Sequence, residues 1–197
     1  MPELTFVSRE AQAIRSLRDE LAALRMRVFR SFPYLYDGDE AYERAYLETY
    51  IRSDRSLLFA VMDGDQMVGA TTALPLSDET AEVQAPFLQA GYDLSQVFYF
   101  GESILLPEYR GLGLGNRFFD EREAHARRFG TYSLTSFCAV QRPATHPLRP
   151  ADYRPLDDFW IKRGYSARPD LQTTFVWPDR GETESTGKTM VYWTRPL

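Results

Sequence analysis

The chain has little chemistry available from sulfur or imidazole. Its one cysteine, Cys138, excludes an intramolecular disulfide and a zinc site built on several thiolates. His125 and His146 are the only histidines, too few for a His-rich site, and no metal is expected. A basic excess is also missing: 23 Lys and Arg stand against 28 Asp and Glu, a formal net charge of -5. Nothing in this balance supports a global attraction to a phosphate backbone, and no nucleic-acid partner is expected, although a local basic patch is compatible with it. No apolar run approaches a membrane span, and "MPELTFVSRE" lacks the apolar centre of a signal peptide. The expectation is a cytoplasmic protein without a membrane partner. Repeats, low-complexity tracts and linkers are absent as well, so residues 1–197 read as a single domain. At 44% hydrophobic residues, a chain of this length can bury a core.

Apolar spacing supplies the elements. Leu4 to Val7 is a short strand, and Ile14, Leu17, Leu21, Leu24 and Val28 draw one helical stripe that ends near Ser31, ahead of Pro33. After the turn-rich "FPYLYDGDE", a second helix carries Tyr42, Tyr46 and Tyr50 one turn apart, a stripe suited to packing on the core. "SLLFAVM" and "MVGATTALPL" form a hairpin around "DGDQ". Residues 77–95 are an excursion with a short helix, and "VFYFGESILL" is an apolar strand in which Gly101 marks a bulge or a close approach. A helix over Asn116 to Phe129, the strand "TYSLTSFCAV", the short helix "LDDFWIKRG" and the strands "QTTFVW" and "TMVYWT" complete the chain. This order predicts an α/β or α+β fold, a mixed sheet covered by helices on both faces.

The most informative stretch joins the apolar strand to the helix through "PEYRGLGLGN". Gly111, Gly113 and Gly115 let backbone N–H groups converge on an anion, and the helix start adds free N–H groups and the positive end of its dipole. A tight turn without a ligand is the alternative. The ligand is not a P-loop nucleotide, because Asn116 and Arg117 follow Gly115 where Lys and Ser or Thr are required. A dinucleotide fingerprint fails too, because the third glycine comes one residue early.

Arg110-x-x-Gly113-x-Gly115, preceded by "PEY" and followed much later by "FWIKRGY", resembles the acetyl-CoA motif of the GNAT superfamily of N-acetyltransferases. The resemblance extends over most of the chain. It implies splayed central strands that bind acetyl-CoA, a co-substrate. The turn Arg110, Gly111, Leu112, Gly113, Leu114, Gly115 and Asn116 would hold the pyrophosphate, and the backbones of Ile104, Leu105 and Leu106 would meet the pantetheine arm. It also implies direct transfer of an acyl group to an amine of a small molecule or peptide. A homodimer is compatible with that reading, and a catalytically weak CoA-binding module is the alternative.

Transfer from a thioester to an amine needs a proton acceptor, a donor to the oxyanion and a proton for the leaving thiolate. Glu102, in an apolar strand beside Gly101, suits the base, directly or through water; the alternative is a residue facing solvent or paired with an arginine. In the family a tyrosine near the last short helix often protonates the thiolate. That position is Trp160 here, which leaves Tyr153 or water for the role, while Tyr165 suits the core. Cys138 reads as a core thiol rather than a nucleophile served by His146. "THPLRPADYRP" stands where this fold opens its acceptor cleft, so Arg149 and Arg154 are candidates to bind an acceptor carboxylate or phosphate, or else they are solvated. Phe32, Tyr34 and Tyr36 are candidates for the opposite wall.

Overall fold

A computed structural model describes residues 3–197. Its strands are β1 (Leu4–Glu10), β2 (Leu57–Asp63), β3 (Gln66–Pro75), β4 (Val97–Leu105), β5 (Leu134–Val140), β6 (Ser166–Trp177) and β7 (Thr186–Pro196). They form one seven-stranded sheet in the order β1-β2-β3-β4-β5-β7-β6. Every neighbouring pair is antiparallel except β4 and β5. The helices are α1 (Arg18–Phe29), α2 (Glu40–Arg52), α3 (Ala81–Gln89), α4 (Leu114–Arg127) and α5 (Asp157–Lys162). None is long and apolar enough to cross a membrane.

The alternation of β4 sets the two faces. Phe98 and Phe100 pack with Phe119 of α4, Phe137, Tyr165 and Trp193, while Val97 and Tyr99 join a cluster containing Leu21, Leu47, Leu74, Val83, Phe87 and Tyr192. Helices α1, α2 and α3 thus cover one side of the central strands, and α4 and α5 cover the other.

Several boundaries differ from the sequence reading. The stripe beginning at Ile14 is not one helix: Ala11–Leu17 is a 3-10 turn, and α1 starts at Arg18. A three-residue period stacks Ile14 and Leu17 as well as an α-helix does, so spacing alone did not separate the two. The helix expected over Asn116–Phe129 spans Leu114–Arg127 and opens directly on the turn. The strand expected to start at Gln172 begins at Ser166, because a register irregularity between Arg168 and Gln172 interrupts its alternation. Of the tyrosine stripe, Tyr50 is fully buried, Tyr46 is half-buried and Tyr42 is exposed, so α2 runs from the core to the surface.

Candidate active site

The parallel pairing of β4 with β5 covers only Val97–Leu134, Phe98–Thr135 and Tyr99–Ser136. Beyond it β4 stays paired with β3 as far as Leu105, and β5 stays paired with β7 as far as Val140. The facing edges of the two strands therefore diverge with no ladder between them. At the start of the divergence β4 is bulged: Thr71 opposes Ser103 but Ala73 opposes Phe100, so β4 holds one residue more than β3 at Gly101–Glu102.

The expected close approach at Gly101 is made by Tyr50. A Cβ there would lie 1.8 Å from the Tyr50 hydroxyl and 2.7 Å from Thr72 Oγ1.

The splay opens toward the turn before α4. Gly111 and Gly113 have φ of 79° and 80°, left-handed values that suit glycine, and a Cβ on either would meet nothing within 4 Å. The first helical bonds run from Asn116 and Arg117 back to Gly113 O. The N–H groups of Gly111 to Gly115 have no acceptor among the described residues. This is an open cradle of donors at the positive end of a 14-residue helix, and it fits a pyrophosphate.

Of the β4 residues expected to meet the pantetheine arm, Leu106 is a correction: its N–H is bonded to Val68 O and its C=O accepts from Tyr109 N. Strand alternation then turns Ile104 toward β3 as well, and leaves the backbones of Leu105 and Ser103 on the open edge.

On the α1–α3 side of the bulge, Glu102 is buried and paired with the Arg25 guanidinium, which also pairs with Glu43. Two carboxylates thus share one cation, and Glu43 Oε1 and Glu102 Oε1 are buried without a partner. Burial raises the Glu102 pKa against the pull of Arg25. The Arg25 guanidinium also lies 4.4 Å from the centre of the Tyr46 ring. Tyr46 and Tyr50 hydroxyls are 3.0 Å apart, and Tyr50 donates to Glu79 Oε1 at 3.1 Å. Glu79 is buried, and desolvation lifts its carboxyl to about 7.

Three loops form the outer wall. Arg142 donates to Pro33 O and Tyr34 O at 2.8 Å each and grips Asp179 through two bonds of 2.7 Å. Trp177 Nε1 donates to Tyr34 O, and both Tyr34 and Tyr36 pack against the Trp177 ring. Burial raises the Tyr34 phenol pKa, with Cys138, Arg25, Tyr153 and Glu102 all close enough to act on it. Phe32 packs on His146 and on Tyr153, with Arg149 4.8 Å above the Tyr153 ring. The structure therefore brings Phe32, Arg149 and Tyr153 together, whereas Arg154 is exposed and has no ion pair among the described residues.

Cys138 sits 3.1 Å from the Tyr99 hydroxyl, and burial pushes its thiol up to about 12. His146 Nδ1 instead accepts the Leu148 N–H. Trp160 is half-buried and packs against Phe137 and Trp193 at the edge of the core on the α4–α5 side, and Tyr165, within that core, bonds Thr135.

Sequence reasoning missed Arg25, Glu43 and Glu79. A signal was present for the first two: Arg25 interrupts the apolar face between Leu21 and Val28, and Glu43 lies on the buried face of α2 with Leu47 and Tyr50.

A splayed parallel pair ending beside an open donor cradle is the architecture of an acyl-CoA transferase fold. The family profile described as Acetyltransferase (GNAT) family matches residues 21–149, and the chain belongs to that family. No curated protein matches it. Solved structures with the same fold include the ribosomal-protein-alanine N-acetyltransferase of Brucella melitensis, at 13% identity and TM-score 0.60, covering 97% of this chain and 99% of that one. NAA60 of Arabidopsis thaliana, in complex with a bisubstrate analogue, matches at 10% identity and TM-score 0.59 over 98% and 99%. The yncA protein of Salmonella typhimurium, with its cofactor acetyl-CoA, matches at 12% identity and TM-score 0.58 over 98% and 94%.

Proposed function

We propose that the chain is an N-acetyltransferase that moves the acetyl group of acetyl-CoA directly to an amine of a small molecule or peptide. The observation that carries this reading is the divergence of β4 from β5 after Tyr99, which ends beside the free N–H groups of Gly111 to Gly115. In this reading the turn from Arg110 to Asn116 holds the pyrophosphate, and the open edge at Leu105 and Ser103 pairs with the pantetheine arm. Acetyl-CoA supplies the activated acyl group. A backbone N–H on the open edge of β4, just past the bulge, supplies the donor for the developing oxyanion.

The Arg25–Glu43–Glu102 cluster supports an amine acceptor. Two buried carboxylates against one guanidinium leave a surplus negative charge and two unpartnered oxygens, Glu43 Oε1 and Glu102 Oε1. A substrate ammonium satisfies both needs. Glu102 then seats the nucleophile beside the bulge, and Tyr34 and Tyr36 line its approach. Tyr153 is the side chain left to protonate the thiolate, since the indole of Trp160 is no useful acid and packs on Phe137 and Trp193.

Calorimetry with acetyl-CoA, followed by turnover on a panel of amino acids, peptides, polyamines and aminoglycosides, tests the function. Binding without turnover of any amine would make the chain a CoA-binding module. Glu102→Gln should raise the acceptor KM about tenfold or more, as expected for a charge-assisted bond.

A further inference from the structure

The buried carboxyl of Glu79 is not used by the transfer described above, yet it is wired to the bulge. Tyr50 spends its one hydroxyl proton on Glu79 Oε1, at 3.1 Å. A phenol carries a single proton, so across the 3.0 Å contact between Tyr46 and Tyr50 the donor is Tyr46. The chain therefore points one way, from Tyr46 through Tyr50 to Glu79, and its open end is a pair of oxygen lone pairs on Tyr46. Tyr50 rests on the Gly101 backbone, where the bulge begins, and the Arg25 guanidinium that holds Glu102 covers the Tyr46 ring. The relay thus starts at the seat of the amine and ends in the core under α3.

We propose that Glu79 is the terminal proton acceptor of the transfer, taking a proton from the attacking ammonium through the hydroxyls of Tyr46 and Tyr50. The inference rests on the acetyltransferase reading. The ammonium gives one proton to Tyr46 Oη as Tyr46 gives its own to Tyr50 and Tyr50 gives its own to Glu79. The freed nitrogen pair forms the bond to the thioester carbon, the carbon–sulfur bond breaks, Tyr153 gives its proton to the CoA thiolate, and the second nitrogen proton restores the Tyr153 phenol. Glu79 afterwards returns its proton to solvent.

Burial holds both phenols well above their ordinary pKa, so neither forms a phenolate on its own and each must give a proton as it takes one. Glu102 is a poorer terminus: the Arg25 guanidinium paired with it opposes its protonation, whereas Glu79 has no ion pair among the described residues.

The groups around Glu79 support a titration near neutrality. Tyr46 and Tyr50 face it from α2, Tyr99 and Glu102 from β4, Cys138 from β5, Tyr192 from β7 and Arg25 from α1. Asp78, beside it in the chain, is held by Ser53. Arg25 is the one cation of the set.

The test compares wild type, Glu79→Gln, Tyr46→Phe and the double variant. Calorimetry gives acetyl-CoA affinity, and pH profiles of kcat and KM are taken with the best acceptor of the amine panel. Both single variants should bind acetyl-CoA as wild type does and lose roughly a hundredfold in kcat with little change in acceptor KM. The acidic limb of the wild-type profile should fall near pH 7 and be missing from Glu79→Gln. The double variant should be no worse than either single one, because one cut already breaks the wire. An unchanged acidic limb in Glu79→Gln, or full kcat in Tyr46→Phe, overturns the relay. If Glu79→Gln fails to fold, Tyr46→Phe decides alone, since it leaves Tyr50 and Glu79 in place. Wild type that does not bind acetyl-CoA, or binds it and acetylates no amine, overturns the acetyltransferase reading and the relay with it. Normal turnover in wild type and both variants overturns the relay only.

Discussion

Gly101→Ala adds one methyl group at the bulge of β4, and the structure sets its cost. The new Cβ would sit 1.8 Å from Tyr50 Oη, 2.8 Å from Tyr50 Cζ and 2.7 Å from Thr72 Oγ1. Tyr50 is fully buried and near the end of α2, so its ring has no free direction. Relief requires the phenol to move, which breaks its bonds to Tyr46 and Glu79. Two lost hydrogen bonds cost about 1 kcal/mol each, and the stranded Glu79 oxygen adds about 1–3 kcal/mol. These terms sum to a destabilisation of about 3–5 kcal/mol once the phenol has moved far enough to relieve the overpacking. Urea unfolding followed by tryptophan fluorescence measures it directly. Combining Gly101→Ala with Tyr50→Phe should recover part of the loss, because the nearest clashing atom is gone. If Gly101→Ala unfolds within about 0.5 kcal/mol of wild type, Tyr50 does not rest on the bulge and the reasoning fails.

Gly113→Val places a branched side chain at a φ of 80° in the donor cradle; calorimetry should show acetyl-CoA affinity falling at least tenfold in a folded protein. Cys138, with its thiol raised by burial, should acquire no acetyl mass after incubation with acetyl-CoA alone, as read by mass spectrometry. Arg149→Ala should raise the KM of an anionic acceptor about tenfold or more while leaving that of acetyl-CoA unchanged, and Arg154→Ala should have the smaller effect because Arg154 stands free of Tyr153 and Phe32. Stability should depend on pH through Glu79. Its folded pKa of about 7 lies above its ordinary 4.5, so the native state binds the extra proton between these values and loses stability as pH rises through them. The loss is up to about 3 kcal/mol by linkage, and Glu79→Gln should flatten that part of a urea-derived stability profile.

The sheet was legible because each strand carries its own apolar run, and the cradle because alternating glycines before a helix have few other uses. Position 160 departs from the family's tyrosine by its identity alone, and the Trp160 ring packs half-buried on Phe137 and Trp193. What escaped was long-range pairing. No spacing rule joins Arg25 to Glu102 across 77 residues, or Tyr50 to Glu79 across 29. The break between the 3-10 turn and α1 escaped for a different reason, since Ile14 and Leu17 satisfy both periods. Leu106 was placed on the pantetheine edge because sequence does not give the parity of a strand's hydrogen bonds; the bond from its N–H to Val68 does.

Arg142 works as a rivet. From one planar group it fastens the segment after α1, the segment after β5 and the β6–β7 connection. Among the described residues, none of those segments is hydrogen-bonded or ion-paired to the glycine turn that would grip the nucleotide. The two halves of the molecule are consequently free to diverge at different speeds. On the proposed function, insertions in residues 30–36 or 143–155 would reshape what enters from the acceptor side without disturbing the grip on CoA, provided the guanidinium keeps its three anchors. A lineage built on this plan would change its clientele by editing loops, and the residue to watch in such edits is an arginine whose bonds all go to the protein itself.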